Sequence, residues 1–335
     1  MKNLLYTFLA FGLFFSCSEN KENDLDKANL KGKVESIYIT SFEAIEKFGE
    51  LTKGDKKWED EWELDIELIY NDNGNVIEQN GYDEDGELIN KWKSKFDDNG
   101  NVIEANRYDK EGELTDKFKY KNDDNGNQIE IKNYDKDGEL TNKWKYKYDD
   151  NGNLIEIKNY DKDGELTDKY KFKYDDNGNQ IEENRYDKEG ELTNKWKYKY
   201  DDNGNEIELN GYNEDGELTD KWKYKNDDNG NRIEENHYDE DGELLSKVKS
   251  KFDDNGNRIE ENHYFEDGEL IKKNKYKFDD NGNQIEWKKY NEEGELENES
   301  SYKYEFDDKE NWIQQIIFKD DKPAFIIERE IKYYD

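Results

Sequence analysis

Two glycine-bearing turns recur along most of this chain with a fixed beat. Asn-Gly-Asn returns every 26 residues from Gly74 to Gly282, and Gly-Glu-Leu returns every 26 residues from Gly86 to Gly294. Together they use 18 of the 24 glycines. A period of this length marks a repeat architecture, in which each unit is one supersecondary element that buries its apolar side only against its neighbours.

The unit Lys143–Asp168 shows the content of each repeat. Lys143-Trp144-Lys145-Tyr146-Lys147-Tyr148 alternates charge and ring, the period of a strand with two unlike faces. Asp149-Asp150-Asn151-Gly152-Asn153 follows, and Asn-Gly predicts a two-residue type I′ turn. That turn would set Tyr148 opposite Ile155 and Lys147 opposite Glu156. The charge pairing recurs as Lys95–Glu104, Lys121–Glu130, Lys173–Glu182, Lys199–Glu208, Lys225–Glu234, Lys251–Glu260 and Lys277–Glu286. The ring is missing from its place at Asn122 and Asn226. Asp161-Lys162-Asp163-Gly164 reads as a type I turn plus bulge that sets Tyr160 opposite Leu166. Ile155 and Tyr160 are five residues apart, so a straight strand would point them to opposite faces. This predicts a bulge between Glu156 and Asn159; the other reading has Tyr160 and its equivalents covering the outer face.

The resulting fold class is all-β: a repetitive antiparallel β-hairpin meander of about twenty strands, coiled into an open solenoid or shell. Coiling would bring the stripe Trp92, Phe118, Trp144, Tyr170, Trp196 and Trp222 inside and leave Lys and Glu to water. The organisation divides into 1–16 (signal peptide), 17–30 (lipidated cysteine and polar tether), 31–69 (N-terminal cap strands), 70–309 (repeat array) and 310–335 (C-terminal capping hairpin).

The motif Tyr148-Asp149-x-x-Gly152-Asn153, then Asp161-x-x-Gly164, then Tyr174-Asp175-x-x-Gly178-Asn179 resembles the YD repeat of the RHS class over about residues 70–310. That resemblance implies hairpins rolled into a hollow β-shell, and a role as an interaction or immunity partner in a toxin system. MORN-type repeats are the second resemblance, with a shorter unit.

The N-terminus reads as an address. Leu4–Phe15 has the length of a secretory apolar region and ends at Ser16-Cys17. Phe14-Phe15-Ser16-Cys17 resembles a bacterial lipobox, which implies lipidation of Cys17 and a membrane partner through that anchor. The acidic tract Ser18–Asp24 looks like a surface-export signal of Bacteroidetes-type lipoproteins; its plain alternative is a polar tether. The expected location is the cell envelope, anchored to the outer membrane.

Composition removes several chemistries. A net charge of −36, from 52 Lys+Arg against 88 Asp+Glu, repels phosphates and argues against nucleic acid as a partner. The lone Cys17 excludes an intrachain disulfide. Near-identical copies of one carboxylate environment do not make a distinct acid/base pair, so no catalytic residue is assigned and no enzyme is expected. His237 and His263 lie one unit apart and could form a weak metal or pH-sensitive pair, or simply two exposed side chains. Asn159-x-Asp161-x-Asp163-Gly164 matches half of a calcium loop, but Tyr170 stands where the bidentate Glu belongs. No cofactor or metal is therefore expected beyond weak calcium binding, and turn formation accounts for the same residues. The expected function is an acidic envelope scaffold for binding or adhesion to an unknown protein or glycan, with Trp92, Trp144, Trp196 and Trp222 as the candidate ligand-binding residues for a carbohydrate.

Overall fold

The computed structural model describes residues 22–58 and 65–335. The segment expected to be a signal peptide, with Cys17, lies outside the described residues. The fold is all-β. After one helical turn, α1 (Asp24–Lys27), come β1 (Val34–Lys47), β2 (Glu50–Lys56), β3 (Asp65–Tyr70) and then a meander that ends in β22 (Trp312–Lys319) and β23 (Lys322–Tyr333). From β3 onward each strand pairs antiparallel with the next, as alternating turns require.

The sheet is closed, which corrects the expectation of an open solenoid or shell. β1 pairs with β3 on one side, from Ser36↔Ile69 to Ile39↔Ile66, and with β23 on the other, from Val34↔Tyr333 to Glu43↔Phe325. The segments read as caps therefore meet and form a seam. Among the described residues, β2 alone of the 23 strands stays outside the ring, pairing with the far half of β1. The remaining strands, at ~4.8 Å each, give a circumference of roughly 100 Å before tilt.

Turn geometry explains the curl. In the hairpin between β9 (Leu140–Tyr148) and β10 (Leu154–Asp161), Gly152 N–H donates to Asp149 O at 3.1 Å and Asp149 N–H donates to Asn153 O at 2.9 Å. Gly152 alone is left-handed, at φ 84°. This is a type I turn with a glycine bulge, not the type I′ turn that Asn-Gly suggested. The Asp149 carboxylate selects it, accepting N–H bonds from Asn151 at 3.0 Å and Asn153 at 2.8 Å, plus Asn153 Nδ2 at 3.0 Å. The left-handed pair of a type I′ turn occurs instead at Phe48-Gly49 and Asp320-Asp321.

A further bulge follows each turn. Tyr148 faces Leu154 rather than Ile155, and the next pair is Lys147↔Glu156, so Ile155 is the extra residue. On β11 (Leu166–Tyr174), Tyr160 faces Leu166 and Asn159 faces Asp168, which leaves Thr167 extra. The bulge expected between Glu156 and Asn159 is absent there; that stretch runs regularly against Lys147 to Trp144. Bulges bend and twist a sheet in one sense, and their repetition in every unit carries β23 round to β1.

Register sorts the side chains onto two faces. The ring face holds Trp144, Tyr146 and Tyr148 with Ile157 and Asn159. The ionic face holds Lys145, Lys147, Glu156, Lys158 and Tyr160. Tyr160 thus covers the ionic face, with Lys143 Nζ 4.5 Å and Lys145 Nζ 5.9 Å from its ring centre. Six of the expected pairs form directly, among them Lys173–Glu182 at 2.7 Å and Lys251–Glu260 at 3.0 Å. Glu130 and Glu156 keep the expected register but turn to Lys132 and Lys158 on their own strands.

The most apolar packing lies at the seam, where Leu25 of α1 joins Val34, Ile37, Leu68 and Tyr70. The N-terminal segment also bonds to the Asn-Gly-Asn rim. Leu25 N–H donates to Gly74 O at 3.1 Å, Val76 N–H to Asp24 Oδ2 at 2.8 Å, and Lys31 N–H to Asn311 Oδ1 at 2.8 Å.

Candidate functional site

The ring face is less uniform than the repeat suggests. The position opposite the stripe is Ile131 or Ile157 in two units but Glu183 in another, and its equivalents Glu235 and Glu261 face Val248 and Asn274. His237 and Arg185 also reach this face, opposite Trp222 and Tyr170. Burial raises the Glu183 carboxyl above its ordinary range, and burial does the same for Glu206, where the charge on Glu235 adds to it. Tyr198, between them, has its hydroxyl 3.5 Å from Glu183 Oε2 and is itself raised, by burial first and by the charges of Glu183 and Glu206 next.

The four sequence-selected tryptophans are all half-buried. Trp92 stacks on Phe118 with ring centres 6.0 Å apart, and the Arg107 guanidinium lies 5.8 Å above it. Trp144 faces Ile131 and Asn159. Trp196 and Trp222 come together at 5.8 Å with their planes 46° apart.

This last pair has the most elaborate surroundings. Trp196 belongs to β13 (Leu192–Tyr200) and faces Gly211 of β14 (Glu206–Tyr212). A Cβ on Gly211 would stand 2.5 Å from the indole, so only glycine lets Trp196 lie against the β14 backbone. Gly211 in turn faces Asp220 of β15 (Leu218–Asn226), the strand of Trp222. His237 of β16 (Arg232–Tyr238) stacks on Trp222 at 4.3 Å with planes 5° apart, and its Nε2 is 3.2 Å from Asp220 Oδ1.

The sequence reading missed Gly211, Asp220 and the carboxylates. The available signal was a glycine off the turn beat, directly across from a tryptophan. His263 lies on β18 (Arg258–Phe265), bonded to Glu261 rather than to His237. The turn carboxylates that resembled a calcium loop are engaged by backbone: Asp161 Oδ1 accepts N–H bonds from Asp163 and Glu165 at 3.0 and 2.9 Å.

A second polar cluster sits at the seam. Asp65 is almost fully buried, and its carboxylate accepts Tyr38 Oη at 2.8 Å, Thr40 Oγ1 at 2.8 Å and Lys56 Nζ at 2.6 Å. Nearby, the Arg329 guanidinium stacks 3.4 Å over Trp312; burial lowers it to about 10, which leaves it charged at neutral pH.

No protein-family model matches the chain, and no curated protein matches it. Its likeness is to solved structures alone. One is a crystal structure titled TcdB2-TccC3-Cdc42, at 14% identity and TM-score 0.32, covering 85% of this chain and 16% of that one. Another is a porin-like protein from Bacteroides uniformis, at 10% identity and TM-score 0.30, covering 90% of this chain and 99% of that one. A porin-like protein from Bacteroides vulgatus matches at 12% identity and TM-score 0.25, over 67% of this chain and 95% of that one. The chain thus spans about a sixth of the length of the first of these.

Proposed function

We propose that this chain is a cell-envelope lipoprotein whose closed barrel stands in water as a rigid binding scaffold, acting by recognition rather than turnover. The observation that carries this reading is the bonding of the N-terminal segment into the Asn-Gly-Asn rim. Glu22 is only five residues beyond Cys17, so a lipid on that cysteine would hold this rim toward the membrane. The Gly-Glu-Leu rim and the β1–β2 hairpin then point away from it.

Charge on both faces supports a barrel beside the bilayer rather than through it. A spanning barrel needs an outward apolar band about 25 Å tall. The ionic face carries Lys and Glu throughout, and the ring face carries Arg107, Arg185, Glu183 and Glu235 in mid-strand.

The test is fractionation of the native chain and Cys17→Ser in the producing bacterium. The reading expects lipid label on the native protein only and release of the variant from washed membranes. Retention of Cys17→Ser through alkaline extraction would mean an integral barrel and overturn it.

A further inference from the structure

We propose that Trp196, Trp222 and Asp220 form a stacking subsite for a neutral pyranose-based oligosaccharide. This rests on the scaffold reading and gives it a ligand class. The ring pair alone would be ordinary packing; three features distinguish it. Trp196 lies against the β14 backbone because Gly211 has no side chain, and the indole remains partly exposed. Trp222 stands at 46° to it and is backed by His237, so its orientation is fixed before any ligand arrives. Asp220 faces Gly211 across the ladder, so its carboxylate adjoins the row on which Trp196 rests, and its side chain remains 36% exposed.

The chemistry follows from these parts. An indole laid on a sheet offers a flat apolar surface that matches the C–H face of a pyranose, while an adjacent carboxylate accepts hydrogen bonds from ring hydroxyls. Fixing the rings in advance lowers the ordering cost of binding. Phosphorylated or sulfated ligands are disfavoured by a chain of net charge −36. Trp92 and Trp144 lack this arrangement. Arg107 covers Trp92, and Trp144 faces Asn159 where Trp196 faces glycine.

The experiment is a tryptophan-fluorescence titration of the full-length chain in a detergent without a sugar headgroup. The probes are cellohexaose, maltohexaose, chitohexaose and mannohexaose. The expected result is a saturable change with at least one probe, lost tenfold or more in Trp196→Ala and in Asp220→Asn and kept within about threefold in Trp92→Ala. Gly211→Val is expected to weaken binding similarly by lifting Trp196, and Trp196→Phe to retain part of it. Each variant is scored only with a melting midpoint near that of the native chain. No change with any probe, or binding that survives Trp196→Ala and Asp220→Asn, overturns the proposal. Neither outcome bears on lipidation, so failure here leaves the anchored-scaffold reading to its own test.

Discussion

Tyr174 Oη donates a hydrogen bond to the backbone carbonyl of Leu154, twenty residues earlier, at 2.8 Å. The β10–β11 ladder stops at Glu156↔Lys171, beside the bulge, so this carbonyl lies beyond the end of that ladder. The same bond runs from Tyr148 to Gln128 at 2.9 Å and from Tyr200 to Gln180 at 2.8 Å. Asn122 and Asn226, where the aromatic is missing, make it with Nδ2, to Val102 and Glu206 at 3.0 Å each. At these positions the residue before the turn therefore donates at the bulge, whereas Phe96, Phe252 and Phe278 supply a ring there without a donor.

Tyr174→Phe removes that donor and keeps the ring. The expected cost is about 1 kcal/mol. Tyr174→Ala, which also leaves a cavity, is expected to cost about 3 kcal/mol. Urea unfolding at constant slope measures both, and a Tyr174→Phe variant as stable as the native chain would show that the hydroxyl contributes nothing.

Asp65→Asn tests the seam. The variant leaves Lys56 without its buried partner, for which a loss of about 3 kcal/mol is expected. Hydrogen exchange should quicken first at Ile37, Ile39, Ile66 and Leu68, the residues that β1 and β3 pair together. Uniform exchange across the barrel would place the effect elsewhere.

Acid should destabilise the barrel. Lys117 and Lys95 hold Glu104 down to about 2, against an ordinary value of 4.5. Burial opposes ionisation of Glu260, yet bonds from Asn262, Lys251 and Lys273 bring it to about 2 as well. A depressed carboxyl contributes stability that is complete above its unfolded value and lost as the pH falls toward its folded one. Melting midpoints should therefore drop between about pH 4.5 and pH 2. Glu183 and Glu206, raised by burial, act in the opposite sense but are fewer. A midpoint that climbs through this window would contradict the ionic-face account.

Phe48 is fully exposed at the tip of the β1–β2 hairpin and holds φ 56°. A bulky residue there is strained, whereas asparagine suits the first position of a type I′ turn. Phe48→Asn is expected to stabilise the hairpin by about 0.5–1 kcal/mol, read as slower amide exchange at Glu46 and Leu51. Faster exchange would mean that the ring supports the hairpin.

Much of the architecture was legible because the repeat states the same constraint nine times. Strand positions, the charge ladder and the second turn follow from Lys147, Glu156 and Gly164. The first turn was misread because Asn-Gly is ambiguous alone; the deciding atom is the Asp149 carboxylate three residues before Gly152, which caps a type I turn. That error moved the partner of Tyr148 by one residue. Closure was hidden for a different reason. It depends on small bends accumulated over all units and on pairing between Ile39 and Arg329, which no local pattern announces. The candidate site was half visible: the tryptophans stand out, while Gly211 and Asp220 gain meaning only when the ladder sets them beside Trp196.

Closure of the barrel is most directly tested by joining its ends. Ser36 and Lys332 are paired across the β1–β23 seam. In a Cys17→Ser background, Ser36→Cys/Lys332→Cys should form an intramolecular disulfide under mild oxidation, with monomeric mobility and a raised melting midpoint. Free thiols, or disulfide-linked oligomers alone, would mean that β1 and β23 stand apart and that the sheet is open.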